Sequence, residues 1–282
     1  MLVFLESIKA IHFLVLLFFL LCFSLWIREE FITIFNRKKI ANLTILKVLL
    51  LRIFNENNGF YIQEKRGKFF SIALYMGTVL SAILPLFFVQ LSDRFDVAGT
   101  EVYLGIISNE NSWLFFFGIL IISEILRSLY DPTYKKIFYK VPLLLGILLT
   151  FVIYSPSFSV EQMVQYQKSF NEYGLRNYFL INNPLGLILI LNLLYTEIEN
   201  PKTNFTLVNH LFFNTYIIMF IFGFLGGYGL PSILEKQNFS PGLETVLLQS
   251  ISMIAKFIFC IIIVWVFKYS LIKTKRVIRL ND

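Results

Sequence analysis

The chain has 282 residues, of which 57% are hydrophobic and 17% aromatic, with a mean hydropathy of +0.70 and a formal net charge of +7. A soluble domain of this length cannot bury so much apolar surface, so the composition excludes that class and predicts a polytopic membrane protein. The net positive charge lies in loops between apolar runs, which favours lipid headgroups and subunits as partners and excludes nucleic acid.

Seven apolar runs predict an all-α bundle of transmembrane helices in a single domain, 1–282. In chain order they are Ala10–Ile27, Phe69–Leu91, Trp113–Tyr130, Val141–Tyr154, Tyr178–Thr196, Phe205–Tyr228 and Val246–Phe267. Most approach the roughly 20 residues that a membrane-crossing helix needs, and the short fourth run can begin inside 131–140. The first run passes into Arg28 without a small-residue cleavage site, so we interpret it as a retained span.

Lys and Arg residues are distributed unevenly between the two sides of this bundle. Of the 25, 18 fall in 28–68, 131–140, 199–204 and 268–282, which the seven runs place on one side. Loops rich in these residues stay on the side from which a membrane protein is inserted. We therefore predict the N-terminus outside, with the 28–68 loop and the basic tail 268–282 inside.

Segment 28–68 alternates apolar residues with nine of the cations. This pattern predicts one or two amphipathic helices in the inner membrane interface. Such a segment can be a basic anchor or can carry a functional surface, and its residues leave both open. On the predicted outer side, Ser159 with Gln162 has the pattern of a capping box that begins a short helix.

Ionisable side chains inside apolar runs are costly in lipid and are therefore candidate functional residues. Glu124 and Arg127 are three residues apart and can meet on one helix face, as a structural ion pair or as a step in a proton path. Lys256 lies about halfway along the seventh run, so we expect an anionic partner on a neighbouring helix, for structural pairing or proton relay.

Two further groups of ionisable residues lie near the ends of predicted spans. Glu197 and Glu199 end the fifth run just before Pro201, where they can exchange protons or serve simply as interfacial acids. His12 and His210 are interpreted as interfacial polar residues rather than proton relays.

Known chemical motifs are absent from the sequence. Cys22 and Cys260 both lie inside apolar runs and match no metal-ligand spacing, so we expect neither a disulfide framework nor a metal site. The sequence has no nucleophile triad and no glycine-rich phosphate loop. An enzyme with active chemistry of its own is therefore not expected.

The order of features resembles the membrane subunit 1 family of respiratory complex I, the NADH:ubiquinone oxidoreductase, over nearly the whole chain. The matching stretches are Arg28 to Lys38, Ile45 to Glu56, Lys68 to Pro85, Ser157 to Gln167, Pro184 to Pro201, Gly226-Gly227-Tyr228 and Lys256 to Leu280. The chain departs from the family pattern where Ile27 and Lys140 replace carboxylates, and where the acidic loop after Glu197 is largely deleted. The departures imply that a proton route runs through other residues or subunits, or is impaired.

The resemblance implies that ubiquinone, as substrate, enters a chamber and is reduced there by an iron–sulfur cluster of a partner. The chain itself would hold no redox cofactor and no covalently bound group, and lipids such as cardiolipin are expected around it. The residues implied to face the chamber or the hydrophilic arm are Arg28, Phe35, Arg37, Lys38, Arg52 and Phe54. Those implied in the proton path are Glu124, Lys140, Glu197, Glu199 and Lys256.

The same resemblance implies the partners and the compartment. The partners are the hydrophilic quinone-reducing arm, the membrane arm, and a separate chain that supplies a last helix, because the sequence stops at Asp282 where the family's last span should start. The implied location is the mitochondrial inner membrane, with the C-terminus on the matrix side, or a bacterial inner membrane. The alternatives left open are a membrane component of an energy-converting hydrogenase, a stand-alone transporter or channel, and a membrane scaffold without a transport role.

Overall fold

The structure is a computed structural model that describes the chain in separated stretches. In the first apolar run it describes helical positions 11, 15, 18–20, 22–24, 26 and 27, which we call the first segment. The longer stretches are 68–89, 110–130, 136–155, 157–169, 176–197, 207–230 and 243–281, with a short hairpin and single positions between 92 and 107. The predicted amphipathic helices of segment 28–68 lie outside the described residues, except for position 68.

The described elements are nearly all helical. In chain order they are α1 (Lys68–Ile83), a 3-10 helix (Leu84–Phe88), β1 (Phe95–Val97), β2 (Thr100–Val102), α2 (Ser112–Tyr130), α3 (Ile137–Tyr154), α4 (Val160–Lys168), α5 (Phe179–Asn182), α6 (Pro184–Glu197), α7 (Leu207–Phe224) and α8 (Leu243–Asn281). The two strands form one antiparallel hairpin, which the pattern of apolar runs does not predict.

Four helical stretches are long and apolar enough to cross a membrane. They are Phe69–Phe88, Ser112–Tyr130, Ile137–Tyr154 and Glu244–Phe267, and they coincide with four of the predicted runs. The third begins inside 131–140, as the sequence allows. Together these helices indicate a membrane protein, because a span of about 20 apolar residues matches the hydrocarbon thickness of a bilayer.

Large apolar side chains point away from the rest of the chain on several of these helices. Phe69 and Phe138 are each 86% exposed, and Ile153 is 72% exposed. In water such a surface would drive aggregation, whereas lipid or an apolar partner helix accepts it at no cost. The exposure pattern therefore agrees with the membrane assignment.

The fifth predicted run is interrupted rather than continuous. Helix α5 ends at Asn182, and α6 begins at Pro184, a residue that needs no backbone donor at the first helical position. The Asn183 side chain accepts a hydrogen bond from the Gly186 amide at 2.9 Å and so caps the new helix. This leaves α6 as an apolar helix of 14 residues that ends at Glu197.

Helix α7 lies at the centre of the bundle. It packs against α1, α6 and α8, and every residue from 210 to 224 is buried. A helix that is apolar on all sides suits a position enclosed by other helices or by lipid. Its polar residues therefore have to find partners inside the bundle.

The end of α7 passes into a buried turn. Gly226 and Gly227 have φ angles of 71° and 53°, a conformation that side chains rarely adopt. The Gln167 side chain of α4 accepts from the Gly226 amide and donates to the Phe222 carbonyl, at 3.0 Å each. Ser159 precedes α4 as its N-cap, and its side chain accepts from the Gln162 amide at 3.5 Å, so the predicted cap is confirmed. The second half of the predicted capping box is not formed, because the Ser159 amide donates to the Ser157 hydroxyl.

Candidate functional site

Four charged side chains meet inside the bundle, and we call them the charge cluster. Glu124 and Arg127 come from α2, Lys140 from the start of α3, and Glu197 from the end of α6. All four are nearly inaccessible, with side-chain exposures of 0%, 4%, 0% and 2% in that order. Each of them is a candidate from the sequence, but the sequence does not predict that they form one group.

Arg127 connects the two carboxylates of the charge cluster. Its Nη1 and Nη2 atoms donate to the two oxygens of Glu197 at 2.6 and 3.1 Å, and Nη1 also donates to Glu124 Oε1 at 3.2 Å. A guanidinium that donates two parallel bonds to a carboxylate fixes both its charge and its orientation. Arg127 therefore acts as a rigid bridge between α2 and α6.

Lys140 also lies between the two carboxylates. Its Nζ forms an ion pair with Glu197 Oε1 and lies 3.7 Å from Glu124 Oε1. The two cations and two anions give the cluster a formal charge of zero. Such balance is what makes four ionised groups tolerable in an apolar interior, where breaking one pair strands another charge.

The end of α6 is also held by a third cation, which lies outside the charge cluster. Lys136, which precedes α3, donates to the Thr196 carbonyl at 2.8 Å. The last carbonyls of a helix have no partner within it, so a cation there satisfies an open acceptor and complements the helix dipole. Glu197, the next residue, is thereby placed beside Lys140.

Helix α7 supplies a stripe of three residues that faces the cluster: Asn209, Phe212 and Tyr216, which we call the α7 stripe. Asn209 Oδ1 accepts from Arg127 Nη2 at 2.6 Å, and the Phe212 ring lies 4.6 Å from the Arg127 Cζ atom. The spacing of three and four residues puts the stripe on one helix face.

Tyr216, the third residue of the α7 stripe, contacts two members of the charge cluster. Its hydroxyl donates to Glu124 Oε1, and its ring centroid lies 5.6 Å from Lys140 Nζ. The side chain is fully buried. Tyr216 thus touches one acid and one base of the cluster.

The α7 stripe is not predicted from the sequence. The available signal is a helical spacing of an amide, a ring and a phenol in an otherwise apolar run. His210, Asn214 and Thr215 interrupt the same run. Without a known partner surface, nothing in the sequence selects the face that meets the cluster.

Lys256 lies apart from the charge cluster. It donates to the carbonyls of Gly227 and Gly229 at 2.8 and 2.7 Å, in the turn that follows α7, whereas the cluster contacts begin at Asn209 near the other end of that helix. The sequence predicts an anionic partner for Lys256 on a neighbouring helix. The contacts found in this turn are backbone carbonyls, which are good acceptors for a half-buried ammonium group.

His210 lies in the first turn of α7, near a helix end as the sequence predicts, and it is enclosed within the bundle. Its interpretation as an interfacial residue stays a prediction. The residue is 4% exposed and its Nε2 lies 2.6 Å from the Ser24 hydroxyl of the first segment. Burial arises because α7 is enclosed by its neighbours.

The remaining predicted site residues lie outside the described part of the chain. They are Arg28, Phe35, Arg37, Lys38, Arg52, Phe54, Glu199 and His12. Among the described residues, no group of His, Cys, Asp and Glu side chains could hold a metal ion.

No protein-family model matches this chain, and no curated protein matches it. The buried charge cluster and the α7 stripe are therefore the observations from which a function is argued.

Proposed function

We propose that the chain is a membrane subunit of a proton-translocating NADH:quinone oxidoreductase of the complex I type. In this role it would help to form the quinone chamber and couple quinone reduction to proton movement. One observation supports the coupling role above all others: Glu124, Lys140 and Glu197, named from the sequence, form one buried network with Arg127.

The chemistry of the cluster suits proton transfer. Arg127 cannot lose its proton in a protein, so it acts as a fixed charge. Lys140 can pass a proton to Glu197: one N–H bond breaks, one O–H bond forms, and an amine faces a carboxylic acid. The amine then regains a proton that arrives through Glu124, which lies 3.7 Å away, and the Glu197 acid releases its proton onward. The net result is the movement of one proton with no change in the four side chains.

The quinone part of the proposal depends on the sequence resemblance. Ubiquinone would be the substrate, reduced by an iron–sulfur cluster of a partner subunit, and the chain would carry no redox cofactor. The residues proposed to line the chamber or the arm-facing surface are Arg28, Phe35, Arg37, Lys38, Arg52 and Phe54. The proposal includes seven spans, an N-terminus outside, and the mitochondrial or a bacterial inner membrane.

The first experiment identifies the partners. The chain is purified from its native membrane in mild detergent, and the proteins that accompany it are identified by mass spectrometry. A quinone-reducing arm with iron–sulfur subunits is the expected result. A nickel–iron large subunit would instead indicate the energy-converting hydrogenase, and a chain that purifies alone would contradict both.

The second experiment tests the cluster itself. The assembled complex carrying Glu197→Gln is reconstituted into liposomes, and the protons translocated per NADH oxidised are counted. Glutamine keeps the shape and one acceptor but cannot take up a proton, so this ratio should fall severalfold. The ratio does not depend on how much complex assembles, which separates coupling from stability. An unchanged ratio would remove Glu197 from the proton path.

A scaffold role is the second candidate, and the charge balance of the cluster favours it. Two anions and two cations with mutual contacts are also what a purely structural network requires. Under this alternative, Glu197→Gln lowers the thermal stability but leaves the proton-to-NADH ratio unchanged. Measuring both quantities on the same preparation therefore distinguishes the two candidates.

A further inference from the structure

A second buried polar group lies where the first segment meets α7. The His210 ring and the Ser24 hydroxyl are 2.6 Å apart, between residues 186 positions apart in the chain. Ser24 is 1% exposed and His210 is 4% exposed. The contact uses a side chain that can both accept and donate a proton through its two ring nitrogens.

Asn214, one helical turn further along α7, adds an observation that points to a small ligand. Its Nδ2 donates to the His210 carbonyl at 2.9 Å, and the residue is 1% exposed. Its Oδ1 is buried and has no hydrogen-bond partner among the described residues. A buried acceptor of this kind calls for a donor, and water is the common donor of suitable size.

His210 is also adjacent to the charge cluster along the helix. The preceding residue, Asn209, accepts a hydrogen bond from Arg127. Successive residues on a helix point in directions about 100° apart. One turn of α7 therefore contacts the first segment on one side and the charge cluster on the other.

We infer that His210 relays protons between the first segment and the charge cluster, with Ser24 as its hydroxyl partner and a water molecule at Asn214. The inference rests on the proposed proton-coupling function and extends it to a residue outside the cluster. A proton arriving through Ser24 bonds to Nε2 while the hydroxyl regains its own proton from water. The ring is then an imidazolium, and it turns about its Cβ–Cγ bond. The N–H bond at Nε2 breaks, that proton passes to the water molecule, and the ring turns back with the Nδ1 proton still in place.

The test uses the chain in its assembled complex, reconstituted into liposomes. His210→Gln retains a polar group that can bond to Ser24 but cannot relay a proton. We expect it to assemble and to translocate severalfold fewer protons per NADH. A wild-type ratio in this variant would overturn the inference.

A chemical rescue separates relay from structure. His210→Gly leaves space for a free imidazole molecule, and addition of imidazole should restore part of the lost ratio. If His210→Gln assembles with a low ratio and imidazole fails to restore His210→Gly, the residue has a structural role and the inference is wrong. Ser24→Ala, which removes the hydroxyl, should also lower the ratio.

Glu197→Gln is measured in parallel to keep the two proposals distinct. If Glu197→Gln lowers the ratio and His210→Gln does not, only the relay fails. If neither variant lowers it, the proton-coupling function fails and the relay fails with it.

Discussion

Arg127 and Glu197 are 70 positions apart and form a bidentate ion pair, with N–O distances of 2.6 and 3.1 Å. The pair joins α2 to Glu197, the last residue of α6. Lys140 of α3 forms an ion pair with the same carboxylate. Because the guanidinium holds both carboxylate oxygens, Glu197 keeps one orientation relative to both cations. The end of α6 is therefore part of the site and not a free helix terminus.

Removing Arg127 should destabilise the chain more than its size suggests. Arg127→Met leaves two buried carboxylates with Lys140, and breaking a buried pair costs about 3–5 kcal/mol. The double variant Arg127→Met with Glu197→Gln restores charge balance between Glu124 and Lys140, so part of the loss should be recovered. Thermal unfolding of the single and double variants in mild detergent, followed by circular dichroism, measures the loss of stability and its recovery. If the loss of stability in the double variant equals the sum of the losses in Arg127→Met and in Glu197→Gln, the two residues do not interact energetically.

The Tyr216 hydroxyl should contribute to stability through its bond to Glu124. Tyr216→Phe removes the hydroxyl and keeps the ring, so the expected loss is about 1.5–3 kcal/mol, as for hydrogen bonds to charged groups. Tyr166→Phe is the matched control, because no hydrogen bond to that hydroxyl is seen among the described residues. The same melting experiment compares them. Equal melting temperatures for the two variants would argue against a stabilising role of the Tyr216–Glu124 contact.

Lys256 should stabilise the turn after α7. Lys256→Met leaves the Gly227 carbonyl without its ammonium donor, and an unsatisfied buried acceptor costs about 1–3 kcal/mol, whereas the Gly229 carbonyl keeps its bond from Ser252. Ser252→Ala is the control, since Ser252 donates to the Gly229 carbonyl alone, at 3.1 Å, and should cost less. Unfolding curves of both variants provide the comparison. A larger loss in Ser252→Ala would contradict this account of the turn.

Two glycines in helices should respond oppositely to alanine. A Cβ added at Gly223 would lie 2.6 Å from the Phe151 ring, which is 1% exposed and packed between other rings, so Gly223→Ala should cost about 1–3 kcal/mol. At Gly118 nothing lies within 4 Å, so Gly118→Ala should be neutral or stabilise by up to about 1 kcal/mol. Melting temperatures in the same detergent test the pair. If the two variants change the melting temperature equally, the Phe151 ring of α3 does not pack tightly against α7 at Gly223.

Much of the helical architecture was predictable because hydropathy is a local property. The apolar runs at Trp113–Tyr130 and Val246–Phe267 appear in the structure as helices close to those bounds. The break at Asn183 was not predicted, although Asn-Asn-Pro marks it, because the apolar residues on both sides resemble one continuous span. The number of spans and the orientation in the membrane remain predictions from charge and hydropathy.

The sequence by itself determined which residues were worth considering, because a charge in an apolar run is costly wherever it lies. Glu124 and Arg127 were visible for that reason, Glu197 because it ends such a run, and Lys140 because of the family resemblance. Only the tertiary structure decided that they balance one another, that Lys256 donates to the backbone of the turn after α7, and that α7 completes the site with the stripe from Asn209 to Tyr216. The physical reason is that ion pairing acts across helices far apart in the chain, and periodicity within one helix cannot specify which neighbour a face will meet.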